Sequence, residues 1–162
     1  KNIQNQQVLH ETKNLHHKKN HFSKIQITEF SILFIMLNYL EITSKKIEDI
    51  SEIQFISERN ENLKKQIISL LLEGLEKQDI QPRLIVENNK LIEEIKDNTS
   101  IKIILKEKND EDILELLNEL LTEFKEFINL KKIESLEKEL INNLDENSYS
   151  ELLKLKSQLN GE

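Results

Sequence analysis

The sequence contains no cysteine and no tryptophan, and it has only two glycines and one proline among its 162 residues. Without cysteine, the chain can form neither disulfides nor thiolate nucleophiles, and this absence is typical of proteins from reducing compartments. Folds built from β-strands need glycine and proline at many turns, so their scarcity indicates long helices. We therefore predict an all-α protein that resides in the cytoplasm.

Long apolar runs are also missing. The longest one, from Phe30 to Leu40, is interrupted by Ser31 and Asn38. A membrane-spanning helix needs about 20 consecutive apolar residues, so this run predicts a buried helix and no membrane partner.

All four histidines lie within the first 24 residues, so the rest of the chain contains none. Ser-His and Cys-His nucleophile systems therefore cannot be assembled in the rest of the chain. His17 and His21 stand four residues apart, as metal ligands on a helix often do, but the segment lacks the apolar residues that would hold such a helix. We expect no catalytic, cofactor-binding or metal-binding residues in this chain, and no enzymatic activity of its own.

Charge is distributed unevenly along the sequence. The net charge of −7 divides into +4 for residues 1–24 and −11 for the remainder, and arginine occurs only as Arg59 and Arg83. Nucleic-acid-binding surfaces concentrate arginine and lysine on one face, so we expect the folded part not to bind nucleic acid directly. Residues 1–24 are polar and follow no helical period, which predicts a flexible basic linker. Because the chain begins with Lys1, we expect it to be part of a longer protein.

Polar caps and one proline divide the middle of the chain into helices. The predicted start signals are the N-cap residues Thr28, Ser44 and Ser57 and the first-turn residue Pro82. The helix that begins near Pro82 is expected to break around residues 88–89. Residues 99–108 alternate like a strand within helical surroundings, and we predict that they are helical or irregular.

The last third predicts the longest helix, from Asp110 to about Asn142. Its apolar face includes Ile113, Leu117, Leu120, Phe124 and Phe127 in the first half, and the roughly opposite residues Ile133, Leu140 and Leu144 in the second. The change of side falls near residues 130–132. Either the helix breaks there, or one continuous helix packs against two different partners.

A final helix supplies the second of those partners. Asp145 is a good N-cap, and Leu144 and Tyr149 have the spacing of a hydrophobic staple. The stripe formed by Leu152, Leu155 and Leu159 is expected to pack against Ile133, Leu136 and Leu140. The sequence thus predicts a helical bundle over residues 25–127, joined by the long helix to a helical hairpin over residues 128–162. Since two helices alone cannot bury all of their apolar surface, the outer face and tip of the hairpin are expected to contact a protein.

Three runs of the sequence form a recognisable pattern. The run 29–39 reads EFSILFIMLNY, and the run 50–55 reads ISEIQF and is followed by Ser57 and Leu63. The chain closes with a long amphipathic helix, then LDE at 144–146, then ELLKLK at 151–156. In this order the runs resemble the C-terminal region of bacterial DnaG-type primases: the first is similar to its opening helix, the second resembles its next landmark, and the close is the best match.

The resemblance extends from about residue 26 to about residue 160, and it implies a non-catalytic domain that docks on the replicative DNA helicase. Residues 1–24 would tether it to zinc-binding and polymerase domains that use zinc and divalent metal, so that primers are made where the helicase exposes single strands. The residues expected to contact the helicase are Tyr149, Leu152, Lys154, Leu155, Lys156 and Leu159.

Two alternatives are a coiled-coil-like structural adaptor and the related N-terminal helical domain of the helicase itself. A coiled coil needs heptads in one phase, which the change of apolar side disfavours, and the acidic terminal hairpin favours the primase over the helicase.

Overall fold

A computed structural model describes residues 23–142 and 146–160, and these residues form eight helices and no strand. The all-α prediction is therefore confirmed. The helices are α1 (Lys24–Asn38), α2 (Leu40–Lys45), α3 (Ile47–Glu52), α4 (Glu58–Leu72), α5 (Lys77–Asn98), α6 (Ile101–Leu105), α7 (Asp110–Asn142) and α8 (Glu146–Asn160). The predicted linker lies outside the described residues, apart from Ser23 and Lys24.

Helix α1 lies at the centre of the main core, packed against α4, α5 and α7. Its side chains are buried on nearly all sides, as the apolar sequence predicts; the fully buried ones are Phe30, Ile32, Leu33, Ile35 and Met36. Removing one such aliphatic or aromatic side chain from water stabilises the fold by roughly 1.5–3 kcal/mol. This helix therefore positions α4, α5 and α7 around it.

The start of α1 corrects the predicted N-cap at Thr28. Ser23 caps the helix, because its Oγ accepts a hydrogen bond from Gln26 N at 3.4 Å while Gln26 Oε1 accepts one from Ser23 N at 2.9 Å. This reciprocal capping box satisfies donors that Thr28 could not reach. Thr28 lies inside the helix and donates its hydroxyl to the Lys24 carbonyl at 3.2 Å.

Two other predicted helix starts are wrong. Ser44 lies within α2, and Lys46 precedes α3. Pro82 lies inside α5, which begins at Lys77. The extra turn before Pro82 is held by tertiary contacts: Lys77 Nζ and Gln81 Nε2 donate to carbonyls at the end of α1, and Ile80 is fully buried.

The break predicted at residues 88–89 is present as a kink within α5. Asn88 has non-helical backbone angles, φ −122° and ψ 16°. Its side-chain Nδ2 donates to Gln66 Oε1 at 2.7 Å and to the Leu84 carbonyl at 3.2 Å. The asparagine thus satisfies a carbonyl near the kink and ties α5 to α4. The ambiguous segment 99–108 forms the short helix α6, which buries Ile101 and Leu105.

Helix α7 is continuous for 33 residues, so of the two alternatives the unbroken helix is the observed one. Its first half contributes Ile113, Leu117, Leu121 and Phe124 to the main core. Leu121 takes the buried position predicted for Leu120, which is only partly buried. In the second half, Ile133 and Leu136 belong to a separate cluster with Leu152 and Leu155 of α8. The division of the chain into two subdomains at residue 127 stays a prediction.

Candidate protein-docking surface

The hairpin formed by α8 and the second half of α7 is closed by a small core. Ile133 and Leu136 of α7 pack against Leu152 and Leu155 of α8, and Leu140 is partly buried beside them. An ion pair borders this core on each side: Lys132 Nζ lies 2.5 Å from Glu151 Oε1, and Lys156 Nζ lies 2.7 Å from Glu137 Oε1. Within the described residues, the hairpin is therefore held together by this core and by the two ion pairs.

The six residues predicted to contact the helicase fall into three groups. Leu152 and Leu155 are buried in the hairpin core, so they support the surface without forming it. Tyr149, Lys154 and Lys156 are exposed, and Lys156 is engaged with Glu137. The Leu159 side chain and the predicted cap at Asp145 lie outside the described residues.

Helical geometry places Tyr149 and Lys154 on different sides of α8. At about 100° per residue, Tyr149 shares a side with Lys156, whereas Lys154 points nearly the opposite way. Lys154 makes no ion pair within the described part of the chain. Tyr149 and Lys154 therefore do not belong to the same side of α8, and the assignment of the helicase contact stays a prediction.

Sequence analysis missed two apolar residues that do share a surface with Tyr149. Leu153 follows Tyr149 by four residues and is 51% exposed, while Ile141 of α7 follows Glu137 by four and is 83% exposed. Because Lys156 pairs with Glu137, the sides of α7 and α8 that carry them meet along one flank of the hairpin. Tyr149 is itself 54% exposed.

We call this set, Ile141, Tyr149 and Leu153, the hairpin patch. The sequence contained a signal for it, namely an i, i+4 apolar pair beside the Leu152 and Leu155 stripe. That signal was overlooked because the stripe alone already explained a hairpin.

A second group of polar residues is buried under the loop between α3 and α4. The Glu29 carboxylate is fully buried and accepts hydrogen bonds from Ile56 N at 2.6 Å, Ser57 N at 3.3 Å and Asn60 Nδ2 at 2.6 Å. Ser57 stands at the predicted N-cap of α4, but its side chain makes no capping bond. A carboxylate from α1 therefore satisfies backbone donors at the start of α4.

Glu61 and Lys64 extend this network. Glu61 Oε2 accepts from Phe55 N at 2.9 Å and lies 3.0 Å from Lys64 Nζ, which also donates to the Ile53 carbonyl. Burial of the Glu61 carboxyl raises its pKa, but the Phe55 N–H and the Lys64 ammonium outweigh burial and hold the pKa below its ordinary value. The Lys64 Nζ also lies 5.2 Å from the centre of the Phe55 ring, which packs edge-on against Phe124.

This buried network holds the loop between α3 and α4 in place, and its residues are not arranged as a catalytic site would be. Its members are nearly inaccessible to a substrate, because Glu29, Asn60, Glu61 and Lys64 are all buried. A separate cleft of about 550 Å³ is lined by Tyr39, Glu76 and Asp110 among others. Within residues 23–142 and 146–160, no group of side chains could hold a metal ion.

Comparisons of the chain with protein-family models, with curated proteins and with solved structures found no match. None of the helices in the described ranges combines the length and apolar character needed to cross a membrane.

Proposed function

We propose that the chain is a non-catalytic docking module, and that its hairpin binds the replicative DNA helicase as the C-terminal domain of a bacterial DNA primase. The hairpin patch is the observation that supports docking. Helix α8 already uses Leu152 and Leu155 to close on α7, yet Ile141, Tyr149 and Leu153 remain exposed on a neighbouring face. Tyrosine is enriched at protein interfaces, and exposed apolar residues that cluster on one face mark interaction sites.

The identity of the partner follows from the resemblance of the runs 29–39, 50–55 and 144–156 to the primase C-terminal region. On this proposal the chain acts in the bacterial cytoplasm and contributes no cofactor, while zinc and divalent metal serve the other domains of the parent protein. Its effect on priming is one of effective concentration, because a tethered polymerase domain meets single-stranded template at the fork more often than a free one.

The competing structural-adaptor hypothesis is disfavoured by α7. A coiled coil needs an apolar seam in one phase through several heptads. In α7 the buried side chains change sides between Phe124 and Ile133, and each half packs against different helices. We therefore retain docking as the proposed function.

Calorimetric titration of the chain with the replicative helicase of the same bacterium tests the proposal. Tyr149→Ala and Leu153→Ser are expected to weaken binding by about 2 kcal/mol each, or roughly 30-fold, because both remove contact area from the hairpin patch. Leu72→Ser is the matched control, since Leu72 is 72% exposed at the end of α4, in the bundle. Removing residues 145–162 is expected to abolish binding.

Charge reversal at Lys154 and at Lys156 compares a lysine that has no ion pair among the described residues with one that pairs across the hairpin. Lys156→Glu should weaken both the hairpin and helicase binding, because it places two carboxylates where the Lys156–Glu137 pair now lies. Lys154→Glu should leave the fold unchanged, since Lys154 is unpaired in the described structure. Undiminished binding after deletion of residues 145–162 would move docking to the bundle, and no binding by the intact chain would refute the helicase assignment.

A further inference from the structure

A small apolar groove lies between the first turns of α1 and residues 123–130 of α7, outside the hairpin core. Its volume is about 200 Å³. The apolar lining comes from Ile25 and Phe124, which are buried, from Phe127, which is partly buried, and from Leu130, which is 51% exposed. Pockets for small-molecule ligands measure ~300–1,000 Å³, so this groove has space for one large apolar side chain rather than for a cofactor.

Glu123 and Glu126 line the α7 side of the groove, and they continue an acidic row along that helix. Glu111, Glu115, Glu119 and Glu123 recur every four residues along one side of the helix, and Glu126 lies beside them. Like charges at this spacing repel one another, so the row lowers the stability of the helix slightly unless cations pair with it. The single lysine in this stretch, Lys125, points elsewhere and pairs with Glu52 at 2.9 Å.

Only one of these glutamates has a cation among the described residues. Lys24 lies at the start of α1, and its side chain is 79% exposed. Its Nζ lies 2.6 Å from Glu123 Oε1 beside the groove. Glu119 and Glu126 are exposed and make no ion pair or hydrogen bond with the described residues. The Lys24 contact shows that this rim accepts an ammonium group, and two further acceptors stand within one helical turn of Glu123.

We propose that the groove binds a basic amphipathic helical segment of a partner protein. One apolar side chain of the segment fills the space beside Phe127 and Leu130, and its lysines or arginines pair with Glu119 and Glu126. Those two glutamates are about 10 Å apart along the helix axis, a distance that two basic residues on one face of a helix can match. Membrane surfaces and nucleic acids are disfavoured as occupants because both are anionic, as the rim is. This proposal does not depend on the helicase assignment.

Fluorescence anisotropy with the full chain tests the groove. The probe is a labelled synthetic peptide with leucine at positions i, i+3, i+4 and i+7 and lysine elsewhere, and its control carries glutamate in place of lysine. The lysine peptide is expected to bind and the glutamate peptide is not. Binding should weaken as salt increases, because exposed charges are screened beyond ~10 Å at 0.1 M ionic strength.

Variants locate the binding site. Leu130→Ser is expected to weaken the lysine peptide about tenfold, equivalent to losing 1.4 kcal/mol of apolar contact, and the double variant E119Q/E126Q should weaken it and flatten its salt dependence. Leu72→Ser at the end of α4 and Glu107→Gln before α7 are the matched controls and should have no effect.

Four results would overturn the proposal: equal binding of both peptides, an equal loss in the control variants, self-association of the chain that depends on Leu130, and displacement of the probe by a peptide of residues 1–22. The third would assign the groove to a second copy, and the fourth would assign it to the N-terminal segment of the same chain.

Discussion

Replacing Glu29 by alanine is expected to destabilise the protein more than a substitution at any exposed position of the described chain. Glu29 is fully buried in α1, and its carboxylate accepts hydrogen bonds from Ile56 N, Ser57 N and Asn60 Nδ2. The alanine variant leaves all three donors without this acceptor. It therefore acts on α1, on the loop before α4 and on the first turn of α4 at once.

The magnitude follows from the exposure of each donor. Asn60 is buried, so the loss of its hydrogen bond lowers the free energy of unfolding by the full cost of an unsatisfied donor. Ile56 is 60% exposed, so water can partly replace the acceptor for the loop N–H groups. An unsatisfied buried donor costs about 1–3 kcal/mol, so we expect Glu29→Ala to lower the free energy of unfolding by about 3 kcal/mol. This is a large part of the ~5–15 kcal/mol that stabilises a typical domain.

Glu29→Gln separates hydrogen bonding from charge. Among the residues that the structure describes, the buried Oδ1 atom of Asn60 has no hydrogen-bond partner, so rotation of the Asn60 amide would let it accept from the new side-chain amide at position 29. The amide oxygen can still accept from the two loop N–H groups. We therefore expect Glu29→Gln to lower the free energy of unfolding by only about 1 kcal/mol.

Urea unfolding followed by circular dichroism measures both variants, with an unchanged slope showing that the denatured state is unaffected. Glu119→Ala is the matched control, because Glu119 is exposed and unpaired in the described structure, and it should change the free energy by ~0.5 kcal/mol or less. If Glu29→Ala behaved like that control, the loop would not depend on the carboxylate. If Glu29→Gln were as damaging as Glu29→Ala, the rotation of Asn60 would be wrong.

Two further predictions concern pH and dynamics. The pKa of Glu61 is lowered in the folded protein, so its contribution to stability is complete above the unfolded pKa of ~4.3 and is lost as pH falls through the folded value. When urea unfolding is repeated from about pH 5 down to pH 3, the wild-type protein should therefore lose more stability than Glu61→Gln. Parallel pH profiles of the two proteins would contradict this. Hydrogen exchange along α7 should show strong protection up to Phe124 and weaker protection beyond Ile133, because the first half packs in the main core and the second only on α8. Uniform protection from Phe124 to Leu140 would show instead that both halves open together.

Elements with a strong apolar period could be predicted from the sequence. The burial of α1, the extent of α7 from Asp110 to Asn142 and the change of its buried side all follow from where isoleucine, leucine and phenylalanine recur. Periodicity determines these features because burial of apolar side chains is the largest favourable contribution to folding. The interruption of this apolar period also predicted the kink near Asn88.

Helix starts and the buried network could not be predicted in the same way. Pro82 is a common first-turn residue, but contacts of Lys77, Ile80 and Gln81 with the end of α1 extend α5 by a turn. Glu29 matches a dipole-complementing residue of a first turn when only its neighbours in sequence are considered. Its true role depends on Ile56, Ser57 and Asn60, which are about 30 residues away in the sequence and become neighbours only after folding.

The hairpin patch depends on the bundle, although no residue of the main core belongs to the patch. Among the described residues, the hairpin core contains four buried side chains, and a helix of about 15 residues is marginal by itself because the first turn is costly to form. In α7 that first turn is already formed within the bundle, so the second half of the helix only has to propagate, at one hydrogen bond per added residue. We therefore expect helix α8 to pack on a second half of α7 that is already helical. Helix α7, which begins at Asp110 in the bundle, thus carries Ile141 to the place where Tyr149 and Leu153 of α8 complete the hairpin patch.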